Sequence, residues 1–174
     1  MGEISFYLGG AKSGKTGLAL RAAEQFAAPR FYLATAQALD GEMEERIARH
    51  RAERGEGWRT IEEPLDLAAG LGRAPETSAV LVDCLTLWLS NMLGSLPEGT
   101  SFGPYMEALE RFVALAFARP GPAVVVSNEV GGGIVPMDGV SRFFRDVSGL
   151  AHQRLAGAAD RVFFVAAGLP LRLK

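Results

Sequence analysis

Residues 4–16, Ile4-Ser-Phe-Tyr-Leu-Gly9-Gly-Ala-Lys-Ser-Gly14-Lys15-Thr16, decide the fold. A short apolar run gives way to a loop that matches G-x-x-x-x-G-K-[ST] from Gly9 to Thr16, and a helical pattern, GLALRAAEQF, follows at once. Strand, glycine-rich loop and helix in that order make a phosphate cradle. The glycines let backbone N–H groups turn inward, and the start of the helix adds its positive end. Gly9, Gly10, Ala11, Lys12, Ser13 and Gly14 are expected to wrap the phosphates of ATP or GTP. Lys15 is expected to reach the β- and γ-phosphates, and the Thr16 hydroxyl to bind Mg²⁺. A chance glycine-rich turn would not come with both flanking elements.

Working outward, four further apolar runs read as strands: RFYLATA (30–36), AVLVDCL (79–85), AVVVSNE (123–129) and RVFFVAAG (161–168). Like ISFYLG (4–9), they alternate little, as parallel strands covered on both faces do. Helical patterns lie between them at Lys15–Ala27, Asp40–Arg54, Leu85–Leu93, Tyr105–Phe117 and Ser141–Ala159, while Gly55–Pro64 and Gly94–Pro104 read as loops. Strand alternating with helix predicts an α/β, doubly wound, mostly parallel sheet with helices on both faces, P-loop NTPase-like and RecA-like. With 174 residues and no internal repeat or linker, residues 1–174 are expected to form one domain.

Composition narrows the function. A net charge of −2 gives no electrostatic footprint for nucleic acid. No apolar run approaches the ~18 residues of a membrane span, and the first strand begins too early for a signal peptide. Cys84 is the single cysteine, so no internal disulfide forms and a cytoplasmic protein is expected.

A P-loop needs a carboxylate for its metal, usually at the end of a neighbouring apolar strand. Asp83, closing Val80-Leu-Val-Asp83, fits that role better than the alternative of a cap for the next helix. Glu129, closing AVVVSNE, could assist a substrate hydroxyl or be an ordinary strand-end acid. No Asn-Lys-x-Asp guanine-reading string occurs, which excludes a Ras-type GTPase.

The helix Asp40–Arg54 contains RIARHRAER (46–54). Met43, Ile47, His50 and Arg54 share one face, with Arg46 one turn before His50 and Arg54 one turn after. Surrounding cations disfavour a further positive charge, so a neutral imidazole with a free lone pair is expected, and the arginines could clamp phosphates. That combination suits a covalent nucleophile. Spacing alone leaves open a solvated helix with Glu–Arg pairs.

Together, GGAKSGKT, FYLATAQALDGEMEERIARHR, WRTIEEP, VLVDCLTLWLSNML and VSNEVGGGIVP resemble, in order and over nearly the whole chain, the bifunctional adenosylcobinamide kinase / adenosylcobinamide-phosphate guanylyltransferase family of cobalamin biosynthesis. The resemblance implies phosphorylation of adenosylcobinamide with ATP or GTP. It further implies transfer of GMP from GTP to adenosylcobinamide phosphate through a guanylylated histidine, which maps onto His50. The family's nucleotide contacts map onto Gly9 to Thr16, Ala34, Thr35, Ala36, Arg51, Ala52, Glu53, Arg54, Glu62 and Asp83. Catalysis then rests on His50, Lys15 and Asp83, and metal binding on Thr16 and Asp83. Lys12 stands where the family often has Arg, and Asp83 where some members have Glu. The resemblance also implies a homo-oligomer, a trimer being one form, which amphipathic Leu85–Leu93 could serve. A corrinoid is the implied partner, and VSNEVGGGIVP is expected to be part of its site or a moving loop. His152, in the last helix, reads as structural or as a helix-surface residue. The alternatives are a plain small-molecule P-loop kinase and a non-enzymatic nucleotide-binding regulator.

Overall fold

The computed structural model describes residues 2–38, 41–52 and 54–174; within 41–52 the side chains of residues 42–44, 46 and 49 lie outside the description. The elements run β1 Ile4–Gly9, α1 Lys15–Ala23, β2 Arg30–Ala34, α2 Gly41–Ala52, β3 Trp58–Glu62, α3 Leu67–Gly72 and β4 Val80–Asp83. They continue with α4 Leu85–Ser95, α5 Gly103–Ala118, β5 Ala123–Asn128, α6 Gly139–Ala158, β6 Arg161–Ala166 and β7 Leu169–Arg172. Among the described residues the strands form one seven-stranded sheet in the order β3-β2-β4-β5-β1-β6-β7. Every pairing is parallel except that of β6 with β7.

Alternation along the central strands builds two cores. Ile4, Phe6, Leu33, Val80, Val82 and Val125 pack with residues of α3, α4, α5 and α6, including Trp88, Leu109, Phe112 and Leu155. Tyr7, Tyr32, Leu81, Val124 and Val126 face the other way and pack with Ala19, Leu20 and Ala23 of α1. Burying a large apolar side chain is worth about 1.5–3 kcal/mol, so central strands with no polar face hold the sheet between its two helical layers. The expected doubly wound, mostly parallel sheet is what forms.

Three elements escape the apolar-run reading. Residues 58–62, expected to be loop, form edge strand β3, whose side chains are all intermediate or exposed. β7 is exposed throughout, and α3 is a single short turn-and-a-half capped by Asp66, which accepts from Ala69 N at 3.0 Å. α1 stops at Ala23 rather than Ala27, because the chain turns there (Phe26 N to Ala23 O, 3.1 Å) on its way to Pro29. α4 and α5 extend to Ser95 and from Gly103, shortening the expected loop to residues 96–102. Leu85, Trp88 and Leu89 of α4 are fully buried, and Trp88 Nε1 donates to Leu65 O at 2.8 Å. That helix therefore offers no free apolar face for the oligomer contact expected of it. The expected helix start at Asp40 and the side chain of the anchor Met43 lie outside the description. No described helix is long and apolar enough to cross a membrane.

At the amino end of the sheet, buried Arg119 caps the entry to β4. It donates to Pro75 O (2.6 Å), Ser78 O (3.0 Å) and Glu76 O (3.3 Å). Replacing it with Met leaves these carbonyls without their donor, and the expected loss is on the order of 3 kcal/mol. Urea unfolding should show a lower midpoint at unchanged slope. Nucleotide affinity should stay as in the parent, because the ligand end of the sheet lies opposite.

Candidate active site

The P-loop takes its shape from two positions. Gly14 has φ 91°, and a Cβ there would meet Gly168 Cα at 3.1 Å. At Gly9 a Cβ would run into the carbonyl of Val165. Gly168 N donates to Ser13 O at 2.8 Å, so the turn between β6 and β7 braces the loop from outside. Lys15 is 8% exposed, and its Nζ donates to Gly10 O at 3.0 Å, across the mouth of the loop.

A cleft of about 690 Å³, counting its open mouth, lies at the carboxyl ends of the strands. Its walls bring together Lys15 and Thr16 of α1, Ala34 and Ala36 after β2, and Ile47, His50, Arg51 and Arg54 of the α2 segment. Glu62 of β3, Asp83 of β4 and Asn128 of β5 complete it. Open parallel sheets bind ligands at this end. Of the expected 43–47–50–54 face, Ile47 and His50 line the cleft half-buried, whereas the helix expected to reach Arg54 ends at Ala52 and Arg54 lines the cleft from beyond it. Arg51 pairs with Glu62 across the rim. Ala52 is exposed outside the cleft wall. Glu53 and the Arg46 side chain, half of the expected phosphate clamp, lie outside the described residues.

Thr35 is placed differently from its neighbours. Fully buried, its Oγ1 donates to Cys84 O (2.9 Å) and accepts from Cys84 N (2.8 Å), while its backbone N donates to Asp83 O at 3.1 Å. It fastens the ends of β2 and β4 together rather than lining the cleft. Asn91 Nδ2 completes the seam, donating to Thr35 O at 2.8 Å and Pro64 O at 3.0 Å.

Five cleft residues carried no signal in the sequence: Tyr32, Thr60, Cys84, Leu87 and Asn128. Tyr32 OH donates to Asp83 Oδ2 at 2.6 Å, and the Arg54 guanidinium carbon sits 3.6 Å from the Tyr32 ring centroid. Burial, then the Asp83 charge, pushes the Tyr32 phenol far above its ordinary value, so it stays a donor. Burial also lowers the Arg54 value. An aromatic inside an apolar strand run reads as core, and only the register across strands shows its hydroxyl at Asp83.

Glu129 turns away from this cleft. Its Oε1 accepts from Gly131 N at 2.5 Å, and its Oε2 lies 3.8 Å from His152 Nδ1. His152 is buried, as the structural reading has it, and its Nε2 shares a 2.8 Å hydrogen bond with Ser127 Oγ. Burial lowers its pKa, with Glu129 opposing.

The donor set suits a hard cation. Thr16 and Asp83 offer a hydroxyl and a carboxylate in one cleft, and no group of three or more His, Cys, Asp or Glu gathers among the described residues. Such a pair could hold Mg²⁺, a cation that favours oxygen ligands.

A family model described as cobinamide kinase / cobinamide phosphate guanyltransferase matches residues 5–173. A Pseudomonas aeruginosa protein, bifunctional adenosylcobalamin biosynthesis protein CobP, is 48% identical over 96% of this chain and 95% of its own. The Salmonella typhimurium protein named bifunctional adenosylcobalamin biosynthesis protein CobU is 38% identical over 95% of this chain and 97% of its own. Among solved structures, the RadB recombinase superposes with a TM-score of 0.53 at 15% identity, covering 93% of this chain and 73% of that one. A second solved structure, an ATPase domain, gives 0.53 at 13% identity, covering 93% and 68%. Those two likenesses establish a RecA-like fold and nothing about substrates.

Cys84, at the floor of the cleft, is 4% exposed, and burial pushes its thiol up to about 11. At pH 8 it is a thiol, and the thiolate is the reactive form. Maleimide labelling of the native protein is therefore expected to be slow, and fast once urea exposes the residue. Because the folded-state value is the higher one, this thiol favours the folded state below the ordinary thiol range. That contribution is lost as pH rises toward about 11. Rapid stoichiometric labelling of the native protein at pH 8 would show the burial to be wrong.

Proposed function

The chain belongs to the cobinamide kinase / cobinamide phosphate guanyltransferase family, and we propose that one domain and one cleft carry both reactions of adenosylcobinamide. The observation that carries this reading is the presence of His50 in the same cleft as Lys15, Thr16 and Asp83. A kinase alone would use the last three and leave a histidine there without a task.

In the kinase step the substrate hydroxyl oxygen bonds to the γ-phosphorus of ATP or GTP. The bond from that phosphorus to the β,γ-bridging oxygen breaks, and the nucleoside diphosphate leaves. The hydroxyl proton passes to solvent or to a phosphate oxygen. Lys15 and the loop amides take up the charge that builds on the leaving group. In the transfer step an imidazole nitrogen of His50 bonds to the α-phosphorus of GTP and pyrophosphate departs. A phosphate oxygen of adenosylcobinamide phosphate then attacks that phosphorus, the P–N bond breaks, and adenosylcobinamide-GDP is released with the imidazole restored. Mg²⁺, held by Thr16 and Asp83, would neutralise phosphate charge. Arg51 and Arg54 line the approach and suit phosphate oxygens.

The exposed side chains Ile134, Val135, Met137 and Val140 support a homo-oligomer. A cytoplasmic setting suits Cys84, which is a free thiol.

Incubation with α-labelled GTP should give an acid-labile, alkali-stable protein adduct. His50→Ala should abolish it while leaving γ-label transfer to adenosylcobinamide intact. Lys15→Ala should slow both steps by about 10²–10³-fold. An adduct of parental strength in His50→Ala removes the histidine from the mechanism. Kinase turnover with no adduct in the parent would leave a plain kinase, and no turnover at all a nucleotide-binding regulator.

A further inference from the structure

Tyr32 occupies a strand position where an aromatic side chain ordinarily serves packing. It is 5% exposed, yet its hydroxyl reaches across to the end of β4 and donates to Asp83 Oδ2 at 2.6 Å. Over the same ring lies Arg54, at 3.6 Å, well inside the range of a cation–π contact. Trp58 meets the ring edge-on at 6.4 Å and closes it in. Arg54 follows His50 by four residues, so this one ring touches both the acid of β4 and the end of the segment that carries the histidine.

We propose that Tyr32 is a positioning residue of the reaction: its hydroxyl holds one oxygen of Asp83 and leaves the other for a divalent cation, and its ring seats Arg54. The metal carboxylate and the histidine segment are then set by the same side chain. This rests on the reading of Asp83 as the metal-binding acid.

The chemistry favours such a role. A short O–H bond to a carboxylate is charge-assisted and fixes the acceptor's orientation. Outer partners of this kind orient metal ligands and tune their affinity. The ring contributes separately. A guanidinium resting on an aromatic face is held in place without spending its N–H donors, which remain available to phosphate oxygens.

The two contributions separate by substitution. Tyr32→Phe keeps the ring and removes the hydroxyl; Tyr32→Leu removes both, with Tyr32→Met as the substitute should it not fold. GTP binding by the full chain is measured at equilibrium in Mg²⁺ and in EDTA, with the thermal midpoint as a control for folding. Tyr32→Phe should bind GTP as the parent does in EDTA. The Mg²⁺ needed for half-maximal binding should rise about 10–100-fold, the usual effect of losing an outer partner, and excess Mg²⁺ should restore the parental affinity. For the ring, Arg54→Ala should weaken binding in EDTA more in the parent than in Tyr32→Leu, a non-additive pair. Tyr32→Phe titrating with Mg²⁺ like the parent, or losing the same factor in Mg²⁺ and EDTA, would reduce the hydroxyl to packing and overturn the proposal. Additive losses would overturn the seating of Arg54. These readouts involve no transfer chemistry. Absence of a histidine adduct in the parent would therefore sink the guanylyl-transfer reading and leave Tyr32 to its own titration.

Discussion

Parallel pairing across β3, β2 and β4 sets Glu62, Ala34 and Asp83 side by side at the carboxyl ends of their strands. On the other side of β4, Asp83 lies opposite Val126 of β5, and two residues on Asn128 lies opposite Gly9, the first residue of the P-loop. The site depends on this register. A one-residue slip in any of these pairings would exchange the faces of the strand, sending Tyr32 to the opposite core and Asp83 away from Thr16. Buried strands with no polar face make such a slip costly, and the Thr35–Cys84 pair of hydrogen bonds pins the junction where β2 and β4 end. The chemistry at the rim is thus fixed by packing in the middle of the sheet.

Against this rigid floor, the contacts of Arg51 and Arg54 lie at the rim of the cleft. Arg51 pairs with Glu62, but both side chains are more than half exposed (52% and 65%), and such surface pairs contribute about 0–1 kcal/mol. Arg54 rests on Tyr32 through a face contact rather than a network of hydrogen bonds, its reach to Thr60 Oγ1 being 3.4 Å. Phosphates entering the cleft can therefore compete for both guanidiniums at small cost.

The sequence was informative where physics is local. The P-loop pattern and the apolar central strands each depend on residues within a few positions of one another, and each forms as expected; the helix expected over 40–54 ends at Ala52, so Arg54 reaches the cleft from beyond it. β3 and β7 were illegible because edge strands need no apolar face, and WRTIE carries side chains that are half or fully exposed. Thr35 illustrates a different limit. Its place in a row of nucleotide contacts came from resemblance, while strand alternation turns its side chain from the cleft and toward Cys84. Tyr32 and Asn128 needed the strand order itself. Nothing in RFYLATA says that a strand ending in aspartate, some fifty residues on, will pair next to it. His152 was placed inside rather than outside by Ser127, a partner that only the contact of α6 with β5 supplies.

Two reactions in one cleft, as proposed, imply an order. Lys15 and Thr16 belong to one phosphate cradle, and the proposed steps draw on it in turn. The kinase step needs the γ-phosphorus directed at the acceptor hydroxyl, whereas guanylyl transfer needs the α-phosphorus within reach of His50. Lys15 and the loop amides can grip the phosphate chain in either case, because their contacts are to oxygens that repeat along it. What must change between the steps is which phosphorus lies beside α2. Under the proposed mechanism a guanylyl group on His50 would resolve the conflict, moving GMP out of the cradle and onto the wall. Pyrophosphate can then leave and the corrinoid phosphate can enter from the open side. On this account the rigid register of β2, β4 and β5 is a requirement of both reactions.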